Sequence, residues 1–174
     1  MDFDIAPLDR LNRITMVVTV ILTLGMLSVP LWFPYVFSAP YPSWVQWLLW
    51  LPGVLVGLIL LGTLLFAPGS YQLTDTELIV YRRLFGRKRY PLSGFTSAEP
   101  GKEFKRSMKV AGAAGFFGYY GSFKNKAWGM FHAQATDKDN GLILHGSKPL
   151  YISPRESQLF KEMFEAKLEA LNRT

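Results

Sequence analysis

ITMVVTVILTLGMLSVPLWFP (residues 14–34) and WVQWLLWLPGVLVGLILLGTLLF (44–66) decide the architecture of this chain. A bilayer core of roughly 30 Å needs about 20 consecutive apolar residues at the helical rise, and each stretch meets that length. The connection YVFSAPYPS (35–43) is uncharged too, and the charge-free run extends from Ile14 to Thr74. The reading is a transmembrane hairpin over 14–68, with helices at 14–34 and 44–66, behind a short tail at 1–13. Four of the five tryptophans (Trp32, Trp44, Trp47, Trp50) crowd around the reversal with Tyr35 and Tyr41. That crowding matches an aromatic belt at one membrane–water interface. A cleaved signal peptide is excluded by the acidic start (Asp2, Asp4, Asp9), the length of the apolar run and the lack of a small-residue cleavage site.

Positive charge sets the expected orientation. Arg10 and Arg13 flank the first helix, the reversal carries none, and Arg82, Arg83 and Arg87 follow the second. Both termini are therefore expected on the cytoplasmic side of the inner membrane. The absence of cysteine agrees with a reducing compartment. Thr15, Thr19 and Thr23 form a stripe on the first helix, and Gly53 and Gly57 a small-xxx-small pair on the second. Such stripes let helices approach closely, within the hairpin or in a homo-oligomer. No ionisable residue lies in either span, so a proton relay or ion pathway is not expected.

After Pro68 the composition changes. Residues 69–174 carry 17 basic and 10 acidic side chains, a balance of +7, and suffice for one small domain. Its pattern is mostly strand. Tyr71-Gln72-Leu73, 77–85 and 87–92 read as strands, with Gly86 at a hairpin turn, and 121–124, 127–136, 141–144 and 149–152 as further ones. Asp139-Asn140-Gly141 predicts a hairpin between the longest pair. Ser153-Pro154-Arg155-Glu156 reads as a capping box opening a helix. Leu159, Phe160, Met163, Phe164, Leu168 and Leu171 supply that helix's apolar stripe.

Leu92-Ser93-Gly94-Phe95, the glycine-spaced segment from Gly115 to Phe123 and Tyr151-Ile152-Ser153-Pro154 together resemble the bacterial pleckstrin-homology-like (PH-like) domains. The resemblance covers roughly residues 69–170. It implies a mainly-β PH-like barrel of about seven strands, capped by the C-terminal α-helix and often tethered to membrane helices. It implies no enzyme activity.

Two surfaces are candidates for function. A turn centred on Phe85-Gly86 sets Arg82 against Arg89 and Arg83 against Lys88, and like charges directly opposite destabilise a hairpin. Arg82, Arg83, Arg87, Lys88 and Arg89 are therefore candidates to bind an anionic lipid headgroup or an acidic partner, the alternative being a topogenic signal with ordinary solvated charge. The second candidate is the ladder Gly112, Gly115, Gly118, Gly121, filled with Phe116, Phe117, Tyr119 and Tyr120. It reads either as a bent connection or as an aromatic loop at the lipid interface, flanked by Lys105, Arg106, Lys109, Lys124 and Lys126.

Catalytic chemistry has little support. There are two histidines (His132 and His145), no cysteine and no G-x-S-x-G, so no catalytic residue, metal site or cofactor is expected. Asp137 to Gly141 starts like a calcium loop, but Lys148 stands where the acidic twelfth ligand belongs. The basic balance fits an anionic membrane, and no nucleic-acid recognition motif accompanies it. The expected function is a membrane-anchored PH-like binding or scaffold module engaging an unknown protein partner, anionic lipid, or both. The alternative is a self-protection protein, since some bacteriocin immunity proteins combine membrane helices with a similar domain.

Overall fold

Apolar side chains on every turn leave the first two helices no polar face. In the computed structural model, which describes residues 1–36, 42–84 and 86–173, they form α1 (Arg10–Val36) and α2 (Ser43–Phe66). The expected reversal falls largely outside the described residues, as does Phe85. The two helices pack on each other, and they approach closely at Gly53. A Cβ there would stand 2.7 Å from a Leu27 methyl, whereas Gly57 faces open space. The hydroxyls of Thr19 and Thr23 donate to carbonyls one turn back, which satisfies them within the helix. Both helices are long and apolar enough to cross a membrane, and only 11% and 6% of their most apolar windows are buried against protein.

The remaining chain folds into two sheets and a helix. β1 (Asp2–Asp4), β2 (Pro68–Leu73), β3 (Glu77–Arg82) and β4 (Arg87–Pro91) form an antiparallel sheet in that order. The second sheet comprises β5 (Phe95–Pro100), β6 (Met108–Ala114), β7 (Tyr119–Asn125), β8 (Gly129–Ala135), β9 (Leu142–Gly146) and β10 (Leu150–Ile152). Its order is β5-β9-β10-β8-β7-β6. α3 (Ser157–Asn172) packs against β5. The arrangement is an unclosed sandwich, with more strands than the seven expected and one of them drawn from the N-terminal tail.

That tail is part of the domain. Phe3 faces Tyr71 across the β1–β2 ladder, Ile5 bridges to Pro154, and the Ala6 amide donates to the Ser153 carbonyl at 2.8 Å. A tail boundary at residue 13 missed these contacts, although Asp2-Phe3-Asp4-Ile5 alternates with the period of a strand.

Alternation along β9 and β10 divides the core in two. Leu142, Leu144, Leu150 and Ile152 face the first sheet and α3, where Phe3, Tyr71, Leu78, Val80, Phe160 and Phe164 complete one cluster. Ile143 and Tyr151 face the other way, into a cluster with Tyr119, Phe123, Phe131 and Phe104. Phe104 comes from a short 3-10 turn (Lys102–Arg106) and stacks on Tyr151 at 4.0 Å.

Three local expectations are corrected. Asp139-Asn140-Gly141 does not join a hairpin, because β10 inserts between β8 and β9, parallel to the first and antiparallel to the second. The Asp137 carboxylate holds that turn by accepting from the Asp139 amide at 2.7 Å and the Asn140 side chain at 2.9 Å. Ser153 does not cap α3. Its hydroxyl is buried and accepts the amides of Thr136 and Asp137, so the helix starts four residues later. On α3, Phe160, Phe164 and Leu168 are buried while Leu159 is 40% exposed, which narrows the expected stripe.

Candidate functional site: the helix exits and the two hairpins beside them

Asp9 lies at the entry to α1. Its carboxylate accepts the Asn12 amide at 2.7 Å, an N-cap bond of the kind that satisfies a free helical N–H. The second carboxylate oxygen accepts the Tyr119 phenol at 2.9 Å. Asn12 is fully buried, and its side-chain amide donates to the Thr136 carbonyl at 3.3 Å. Burial, and then the bond to Asp9, raise the Tyr119 pKa well above the ordinary phenol range, so this group remains a donor. On the neighbouring residue, the Tyr120 phenol donates at 2.7 Å to the carbonyl of Thr63, close to the exit of α2. Burial pushes its pKa up to about 12.

The glycine ladder is what presents these two tyrosines. β6 and β7 form a hairpin in which Gly112 faces Gly121, and both have positive φ (109° and 117°). A Cβ on either would meet a cross-strand carbonyl oxygen at 2.1–2.2 Å, so the close approach admits only glycine. Tyr119 turns into the core and Tyr120 toward α2. Phe116 and Phe117 are half-buried in the turn between the strands, next to Gly115, whose Cβ position lies 3.8 Å from the Asn12 side chain.

The basic hairpin has a different register from the one expected. Tyr81 faces Arg87, Val80 faces Lys88 and Ile79 faces Arg89, so no cation stands opposite another. The turn closes earlier, with the Arg82 amide donating to the Gly86 carbonyl at 3.0 Å and Gly86 at φ +85°. Like charges are therefore not opposed across this hairpin, and alternation sends the five side chains to different faces. Arg82 is half-buried, with its guanidinium carbon 4.9 Å from the centre of the Phe66 ring at the end of α2. The Arg83 amide donates to the Ala67 carbonyl at 2.8 Å, which fixes the turn to the α2 exit. Arg87 and Arg89 lie on the outer face, and Arg89 approaches Glu77 at 3.7 Å. Lys88 shares the face of Val80 and Tyr90 and lines a cleft of about 480 Å³ between β4 and the second sheet.

Other cations cluster at the α1 entry. Lys105, Lys109 and Lys138 line a cleft with Leu11 and Tyr119, and Lys105 pairs with Asp139 at 2.8 Å. His132 is exposed on β8, 3.4 Å from the Ser122 hydroxyl, and His145 lies on β9, 3.3 Å from Glu99. No group of three or more His, Cys, Asp or Glu side chains among the described residues is arranged to hold a metal. Sequence reasoning missed the docking roles of Asp9, Asn12 and Thr63. The spacing Asp9-x-x-Asn12 ahead of an apolar run was the one legible signal, since an aspartate there is a preferred cap.

A family model described as the bacterial PH domain matches residues 69–168, and the chain belongs to that family. No curated protein and no solved structure matches it. PH domains are generally non-catalytic binding modules, which makes binding or scaffolding the functional class suggested for this one.

Proposed function

We propose that this bacterial PH-domain protein is a membrane-anchored binding module, held by its helical hairpin against the cytoplasmic face of the inner membrane, where its basic residues meet anionic lipid. The observation that carries the reading is the bond from the Arg83 amide to Ala67, with Arg82 stacked on Phe66. These contacts set the turn of the basic hairpin at the point where the second apolar helix leaves the domain. Tyr119 and Asp9 bring the start of α1 to the domain as well, so both apolar helices depart from it.

Around those roots the side chains suit a headgroup layer. Arg10, Arg13, Arg82, Arg83, Lys109 and Lys138 supply positive charge, while Leu11, Ile14, Phe66 and Leu84 are about half exposed. Each basic residue near an anionic leaflet contributes about 1 kcal/mol before salt screening. Of the aromatic loop, Tyr119 and Tyr120 are engaged in docking, which leaves Phe116 and Phe117 as its interfacial pair.

The cysteine-free sequence makes the test direct. Leu84→Cys places a single thiol at the tip of the basic hairpin of the full chain, reconstituted in neutral or phosphatidylglycerol-rich nanodiscs. A water-soluble maleimide is expected to react more slowly in anionic lipid and to recover its rate as salt rises. Equal rates in both lipids would overturn the lipid contact and leave a protein partner for this surface. Anchoring itself is tested in intact cells, where an external reagent is expected to label Ser38→Cys and spare Ser122→Cys; labelling of both removes the topology.

A further inference from the structure

β4 is the end strand of its sheet, pairing with β3 on one side. The β3–β4 register and two flanking bonds, Arg82 amide to Gly86 carbonyl and Leu92 amide to Thr76 carbonyl, show which way its backbone points. Antiparallel pairs alternate between bonded and non-bonded positions. Lys88 and Tyr90 therefore exchange ladder bonds with Val80 and Leu78, while the N–H groups of Arg87 and Arg89 point away from β3. Pro91 falls in the outward set, where its missing N–H breaks no ladder bond.

This free edge borders the cleft of about 480 Å³. Lys88 and Tyr90 line one wall, and Phe95, His132, Ser147 and Lys148 the other. A second hollow of about 200 Å³ continues from it, sharing His132, Ser147 and Lys148 and adding Met130 and Pro149. No acidic side chain is among the described residues lining either hollow. The place thus combines unused strand donors, apolar surface and two cations, Lys88 and Lys148, with no ion pair among the described residues, while Arg89 at its rim approaches Glu77. Along Arg87–Pro91 it is roughly 17 Å long at the strand rise.

We infer that the edge of β4 receives an extended acidic segment of a partner protein, whose backbone pairs with Arg87 and Arg89 and whose carboxylates meet Lys88 and Lys148. The inference rests on the binding-module reading and adds the place and the chemistry of the partner. Lysine, arginine and proline on an edge also keep strands from pairing indiscriminately. The same cations that repel a basic strand, and are costly to desolvate beneath a neutral one, select an acidic one, so specificity comes from both effects.

The test uses the full chain in neutral detergent, free of anionic lipid, so its outcome is independent of the Leu84→Cys measurement. The probe is an end-blocked, fluorescent peptide of alternating glutamate and valine, read by anisotropy. Saturable binding is expected for this peptide and not for its lysine–valine counterpart. Methylating the peptide's alternate backbone nitrogens should abolish binding. The double variant Lys88→Glu, Lys148→Glu should weaken binding by about tenfold or more, since cross-strand charge pairs act at this scale. Lys161→Glu, on α3, should leave binding unchanged, and circular dichroism melts verify that each variant is folded. Binding that survives N-methylation would reduce the site to charge attraction and overturn the inference. No acidic-peptide binding by the folded chain would overturn it as well, leaving the edge cations a purely protective role.

Discussion

The β3–β4 and β6–β7 hairpins both reach the roots of the apolar helices, and they do so by opposite means. β6–β7 docks through two neutral phenols on Asp9 and Thr63, and its backbone is pinched at the Gly112–Gly121 pair. β3–β4 docks through one backbone amide and one stacked guanidinium, and carries four exposed cations at and beyond its turn. The first hairpin commits its two phenols to fixed bonds, although β6 is also the end strand of its sheet and bears the exposed Met108 and Val110. The second keeps charge and a strand edge available. In this fold β6–β7 is the clamp through its phenols, and β3–β4, whose edge borders a cleft with no acidic side chain among its described lining residues, is the candidate binding surface.

The largest expected effects test whether the hairpins rest on separate cores. Phe104→Ala empties the cluster under β6–β7 and Phe160→Ala the one under β3–β4, and each truncation should cost about 3–5 kcal/mol. Amide exchange should rise first in the hairpin above each lesion. Simultaneous loosening of both hairpins by either variant would merge the two cores into one cooperative unit. Next come the glycines. Gly121→Ala drives a Cβ to 2.2 Å from the Ala111 carbonyl oxygen, whereas Gly86→Ala meets open space at positive φ. The former should lower stability by more than the roughly 1–2 kcal/mol expected of the latter from backbone conformation alone. Equal melting temperatures would show that the pinch relaxes.

Tyr119→Phe leaves the buried Asp9 carboxylate short of a donor and should cost about 1–3 kcal/mol. Tyr120 offers a pH-dependent counterpart. Its folded pKa of about 12 exceeds the ordinary value of 10.0, so its contribution is complete below the ordinary value and lost as pH rises through about 12. Thermal melts across that window should fall for the parent chain more than for Tyr120→Phe. The smallest effects belong to the basic hairpin, where Arg87→Ala and Arg89→Ala should change stability by no more than about 0.5 kcal/mol. A larger loss would make these side chains structural and weaken the contrast between the two hairpins.

Features carried by runs of like residues were legible in the sequence. Two charge-free stretches of membrane length, a strand-rich domain after Pro68 and a final amphipathic helix each depend on local periodicity, and each is present. Misreadings occurred where a residue suited two partners. Ser153 has the sequence of a helix cap, yet the amides of Thr136 and Asp137 take its hydroxyl because β10 brings it between them. Asp139-Asn140-Gly141 has the sequence of a hairpin turn, yet its flanking strands are separated by a third strand contributed from later in the chain.

The candidate surface shows the same division. Composition alone identified five cations between Arg82 and Arg89 and a glycine-spaced aromatic loop. Which of them face one another depended on a register that the Ala67 carbonyl helps to set from outside the hairpin. That Asp9 belongs with Tyr119, more than a hundred residues away, depended on the N-terminal tail entering the first sheet as a strand. Periodicity and charge are local properties that a sequence records directly. The choice between competing hydrogen-bond partners is made by whichever distant strand closes the sheet, and only the tertiary structure decides it.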